Sequence, residues 1–191
     1  GSCAVFLGDG EGGMRFEIFV RERDAEAELW NGPREGPAAT GARVGADAAH
    51  PIDDLPTMLP QLASHASAIH FRLGASPEVE PIVLSALDRG LARRTRDGRG
   101  PVGVVDPGGL IDPLRLRKDA AELERMRHAA RITVDAFDEA LEALRPGIGE
   151  WELEGLLDGR FRALGGGGPA YGTIVGGGRN GCVLHYVENA S

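Results

Sequence analysis

Lysine is almost missing from this chain. Of its 21 basic residues only Lys118 is a lysine, and 29 acidic residues outweigh them to a net charge of −8. A general nucleic-acid binder needs clustered positive charge to neutralise phosphates, so that class is set aside. Cysteine is nearly missing too. Cys3 and Cys182 stand at opposite ends of the sequence and form neither a CxxC unit nor a disulfide framework. Each lies in an apolar run, which predicts a small buried hydrophobe. No apolar run reaches the ~18 residues that a membrane span requires. The opening Gly1-Ser2-Cys3-Ala4 has no basic region followed by an apolar core, so no signal peptide is read there and the expected location is cytoplasmic. GxSxG, Walker-type loops and HExxH are absent, and none of the five histidines pairs at the spacing of a helical zinc site.

What is present reads as an ordinary globular composition, 42% hydrophobic and 26% charged, on a chain long enough for one large or two small domains. Residues 3–20 read as a β-hairpin: an apolar run, a turn of glycine and aspartate at 8–13, and the alternation Arg15/Phe16/Glu17/Ile18. Helices are expected over 21–30, over 53–64 with Asp53 or Asp54 as cap, and over 77–96 with Ile82, Leu84, Leu87 and Leu91 on its packed side. Residues 36–45 are expected as loop and 67–73 as a strand. The basic cluster at 89–99 falls at a helix end, where positive charge complements the dipole.

Eight glycines and prolines between Gly98 and Pro113 suit a linker. The reading therefore places an N-terminal domain at 1–100, a linker at 101–117 and a second domain at 118–191. The second begins with a long helix, 119–144. Its apolar residues Leu123, Met126, Ala130, Val134, Phe137, Leu141 and Leu144 form one stripe, expected to pack. A second helix over 149–164 follows. Alternating strands and helices, then two helices before a hairpin, predict an α/β unit with a mixed sheet followed by an α+β unit.

The last stretch, YGTIVGGGRNGCVLHYVENAS at 171–191, reads as strand, glycine loop, strand and polar tail. Gly176–Gly181 matches GxGxxG in form. A dinucleotide site needs a helix directly after the glycines, and Cys182–Val187 favours a strand. His185 stands in that strand beside Tyr186, either as a core histidine or as a functional one. Asn189-Ala190-Ser191 matches a glycosylation sequon and is read as chance.

KDAAELERMRHAARIT at 118–133, RPGIGEWELEG at 145–155 and YGTIVGGGRNGCVLHYVEN at 171–189 together resemble the opening of a pita-bread metallopeptidase domain, in its aminopeptidase P branch. RERDAEAELWNGPREG at 21–36 resembles a signature of that branch's N-terminal domain. Its Trp30 and Gly32-Pro33-Arg34-Glu35-Gly36 favour aminopeptidase P over prolidase or creatinase relatives. The resemblance covers nearly the whole chain. It implies a creatinase-like N-terminal domain followed by the first part of an α+β pita-bread domain. It also implies a parent enzyme that is a metal-dependent Xaa-Pro aminopeptidase, cutting before proline with two divalent metals, typically manganese. The five ligands it implies, two aspartates, a histidine and two glutamates, match no residue here. So no metal ligand is assigned, and the chain alone is expected to hold no metal and to be inactive, a piece of a longer protein. His185 is implied as the catalytic residue facing substrate, and Tyr171 as an aromatic substrate contact. The implied partners are a proline-containing peptide and further copies of the chain, with no nucleic acid and no membrane. The alternative is a non-catalytic pita-bread module that binds peptides or proteins. A free strand at 183–187 is expected to invite pairing with another chain.

Overall fold

In the computed structural model, which describes residues Gly1–Ser191, the chain forms two units, Gly1–Pro113 and Leu114–Ser191. The first opens on the expected hairpin. β1 (Ser2–Gly8) runs antiparallel to β2 (Met14–Val20), with Ser2 opposite Val20 and Gly8 opposite Met14. Asp9 ties the turn. Its carboxylate accepts from the N–H groups of Glu11 and Gly13, both at 2.8 Å, while Gly10 and Gly12 take positive φ. β3 (Ala48–Pro51) pairs in parallel with β2 on its other side. With a neighbour on both edges, β2 buries Glu17, Ile18, Phe19 and Val20 in succession and abandons simple alternation. Burying Glu17 demands polar company. His50 Nε2 lies 2.9 Å from its Oε2, and the Arg15 guanidinium stands 2.9 Å from its Oε1 without hydrogen-bond alignment.

α1 (Ala25–Asn31) starts at Asp24, whose side chain accepts from the N–H groups of Glu26 and Ala27, and ends at Gly32. The expected loop at 36–45 is a helix instead, α2 (Gly36–Val44). Its glycines are not loop markers. Gly36 and Gly45 bracket it, and Gly41 is buried against Ala49 of β3, where a Cβ would come within 2.7 Å of the Ala49 Cβ.

α3 (Leu55–Leu62) carries Pro56 in its first turn, as expected, but neither Asp53 nor Asp54 caps it through a side chain. α4 (Glu80–Asp97) buries Val83, Ala86 and Gly90, one step round from the anticipated face, and leaves Leu84 and Leu91 exposed. The core of this unit is Phe19 from the sheet, Leu55 and Leu59 from α3, and Val83 and Ala86 from α4. The strand expected at 67–73 shrinks to β4 (Ile69–His70), parallel to β5 (Val104–Val105). α5 (Gly108–Leu116) accommodates Pro113 within it. The basic cluster at the end of α4 is an open hollow of about 420 Å³ lined by Arg89, Ala92, Arg93, Arg96 and Asp97. Arg93 pairs there with Asp97, and Arg94 donates to the carbonyl of Gly100.

The second unit is built on α6 (Ala120–Ala143) and α7 (Glu150–Ala163). A capping box opens α6. Asp119 accepts from the Glu122 N–H at 2.8 Å, and Glu122 accepts from the Asp119 N–H at 2.9 Å. The helices pack through Ile132, Ala136 and Leu157, with Arg160 and Glu139 paired at 2.7 Å. The stripe expected to pack is not the packed face. Val134, Phe137 and Leu141 are more than half exposed. α7 approaches the side where Ala136 offers little bulk, and a pair of helices buries only one side of each.

The two-strand hairpin expected at 171–187 is also absent. Asn180–Cys182 forms a 3-10 turn and Leu184–His185 a second turn, so the run expected as a strand is spent in turns and offers no free strand edge. Cys182 is exposed, against the expectation of burial, while Cys3 is half-buried.

Candidate functional site

Pro146 and Gly147 end the approach to α7, and Gly149 becomes its N-cap, its N–H held by the Glu152 carboxylate at 2.9 Å. Glu150 is thus the first helical residue, where negative charge is favoured by the helix dipole. Its side chain turns into the C-terminal tail and is only 3% exposed. Oε1 accepts from the Gly177 N–H at 2.7 Å and from Asn180 Nδ2 at 2.9 Å. Oε2 accepts from the Tyr186 hydroxyl at 2.8 Å and from the Ser191 N–H at 2.9 Å. The Glu150 N–H in turn donates to the Ser191 carbonyl at 2.7 Å. Burial by itself would raise the pKa of this carboxyl. The donors at Gly177, Asn180, Ser191 and Tyr186 override it and bring the pKa from the ordinary 4.5 down to about 2.

Tyr186 is fixed from three directions. Besides donating to Glu150, its hydroxyl accepts from Asn180 Nδ2 and from the Ala190 N–H, each at 3.0 Å. The two limbs of the tail meet through one side chain. Asn189, 2% exposed and at φ +45°, accepts from the Val175 N–H at 2.9 Å and donates to the Thr173 carbonyl at 2.8 Å. Its amide thereby takes the place of a strand's peptide group. Thr173 donates to Asp158 of α7 at 2.6 Å, a second tie between tail and helix.

His185 sits in the turn just before Tyr186 and is exposed, so in this structure it is no core histidine. Tyr171 is 77% exposed on the other limb. No hydrogen bond or ring contact joins the two. Gly176–Gly181 runs into a three-residue 3-10 turn, not the helix that a dinucleotide loop requires. No three His, Cys, Asp or Glu side chains gather closely enough to hold a metal ion. Of the residues that organise the site, the sequence marks neither Glu150 nor Asn180, and Asn189 only as part of a sequon. Glu150 stands in a helix's first turn, where an acidic residue is ordinary, and the density of asparagine, tyrosine and glycine thirty to forty residues later is the one signal that could point to it.

The family of aminopeptidase P N-terminal domains matches residues 1–70, and metallopeptidase family M24 matches residues 124–191. The Xaa-Pro aminopeptidase of Escherichia coli K12 is 35% identical over 172 residues, covering 90% of this chain and 39% of that protein. Mouse Xaa-Pro aminopeptidase 3 is 32% identical over 174 residues, covering 90% of this chain and 33% of that protein. The chain therefore spans well under half the length of these curated relatives. Among solved structures, proline aminopeptidase P II from Yersinia pestis superposes with a TM-score of 0.92 at 34% identity, over 100% of this chain and 44% of that one. Zinc-substituted E. coli aminopeptidase P in complex with product gives 0.93 at 33% identity, over 100% and 43%. With the N-terminal domain of aminopeptidase P at its start and an M24 segment at its end, the chain belongs to the aminopeptidase P family.

Proposed function

We propose that the chain is part of a metal-dependent Xaa-Pro aminopeptidase, a hydrolase that releases an N-terminal residue from a following proline. The observation that carries this reading is the order of the two family matches, aminopeptidase P N-terminal domain first and M24 segment second, on one chain. Proline fixes φ and has no N–H, so the scissile bond needs a dedicated pocket. The role assigned here to the tail is to present His185 to the substrate. An imidazole N–H can donate to the oxyanion that forms when the scissile carbonyl is attacked. Tyr171 is assigned an aromatic contact with the peptide.

M24 membership implies divalent metal ions, and we assign manganese. The residues present supply no ligand set for them. No helix is long and apolar enough to cross a membrane. A cytoplasmic, homo-oligomeric protein is our reading of the parent.

The test is release of the first residue from an Xaa-Pro peptide by the complete protein with manganese. We expect cleavage, and His185→Ala should lower kcat roughly 10²-fold, the scale of one lost oxyanion contact. An unchanged kcat would return His185 to the ordinary surface. Binding of the peptide without cleavage would favour a non-catalytic module of the same fold. The 191 residues by themselves should release nothing.

A further inference from the structure

We infer that Glu150 is a positioning residue for His185, acting through the hydroxyl of Tyr186 and the amide of Asn180. The inference rests on the role given to His185 above.

Buried charges are normally met by an opposite charge. Glu150 is met by none. Its four partners are neutral, and all are donors: two backbone N–H groups, an amide and a phenol. An ionised carboxylate is acceptor-only and has room for four such bonds. A glutamine in its place would turn an NH₂ against a donor. The pocket is built for an anion.

His185 is exposed and makes no hydrogen bond of its own, so where its ring stands follows the backbone that carries it. That backbone is held on both sides, and both holds return to the same carboxylate. After His185 comes Tyr186, with its hydroxyl 2.8 Å from Glu150 Oε2. Before it comes the 3-10 turn Asn180–Cys182, whose Asn180 lies 2.9 Å from Glu150 Oε1. Asn180 and Tyr186 also bond to each other, which closes a ring of three side chains around the segment 180–186. Releasing the carboxylate removes one tie from each flank of His185 at once, leaving the Asn180–Tyr186 and Ala190–Tyr186 bonds to hold the segment less tightly. Displacement of a reacting group by about 1 Å can cost on the order of 10²-fold in rate.

The decisive measurement is a double-mutant cycle in the complete peptidase. Tyr186→Phe removes one hydroxyl and leaves the ring. It should lower kcat about 10-fold with KM changed by less than about 2-fold, and cost nothing further in a His185→Ala background. Glu150→Gln should behave alike and more severely. Independent, multiplying losses would show that Glu150 and Tyr186 do not act through His185, and would overturn the inference. A second readout needs no activity. In the 191-residue chain, imidazole NMR signals of His185 should shift or broaden in Tyr186→Phe, while those of His50, His65, His70 and His128 stay. Unmoved His185 signals would overturn the inference as well. If His185→Ala proves harmless to turnover, the functional reading fails, and the NMR result still decides whether Glu150 positions the ring. Should Glu150→Gln fail to fold, Tyr186→Phe carries both measurements.

Discussion

Glu150 and Gly90 are constrained by opposite needs, one for donors and one for space. The Glu150 carboxyl titrates well below its unfolded value, down to about 2 from 4.5. Its bonds therefore add stability in full above about pH 5 and lose it as pH falls toward 2, because the proton binds the unfolded chain first. The thermal midpoint of the chain should fall across that window, and Glu150→Gln should flatten the slope there. An equal slope in the variant would contradict the assignment. The exposed Asp9, Glu35 and Asp106 and the half-buried Glu28 also titrate low, each held by hydrogen bonds to backbone or arginine, so the comparison with the variant isolates Glu150. Gly90 faces Pro101, and a Cβ there would come within 2.5 Å of the ring. A proline ring has little freedom to move aside. Gly90→Ala gains about 1 kcal/mol of helix propensity, but overpacking costs about 1–3 kcal/mol. The urea midpoint should therefore drop, and a rise would mean that the contact is loose.

Among the elements, α6 separates periodicity from packing. Ala136 is fully buried while Phe137 beside it is 51% exposed. Ala136→Leu should destabilise by about 1–3 kcal/mol, and Phe137→Ser should change stability by less than about 0.5 kcal/mol. Reversed outcomes in chemical denaturation would restore the large-residue stripe as the packed face. The sequence marked the existence of this helix over 119–144, because apolar residues three and four apart are a local signal. It could not mark the buried side, because two apolar faces compete and only the neighbouring helix decides between them. The same limit applies at α4, where the face moved one step toward Gly90 and Ala86. The β1–β2 hairpin was legible because its turn and its alternation lie within twenty residues. β3 was not, since Ala48–Pro51 has no strand-like composition and exists by pairing with β2. In the tail, family resemblance singled out His185, but the carboxylate at the centre of the knot that holds it takes its bonds from residues twenty-seven to forty-one positions away. No local pattern encodes such contacts.

At the scale of the molecule, each unit has its own small core, and much apolar surface is left over. Leu123, Met126, Val134, Phe137, Leu141 and Leu144 are all exposed along or just beyond α6. A stripe of this kind binds anilinonaphthalene sulfonate. The dye's fluorescence with the 191-residue chain should fall about twofold in a Phe137→Ser/Leu141→Ser double variant, with helical circular dichroism retained. Unchanged fluorescence would place the dye site elsewhere. The Asn189 amide has a consequence of another kind. Its nitrogen is the atom to which a glycan would attach, yet it is spent on the Thr173 carbonyl in a side chain that water scarcely reaches. Sugar transfer at Asn189-Ala190-Ser191 would first have to undo the bridge between the limbs of the tail. Once folded, the chain closes its own sequon, whichever compartment it occupies.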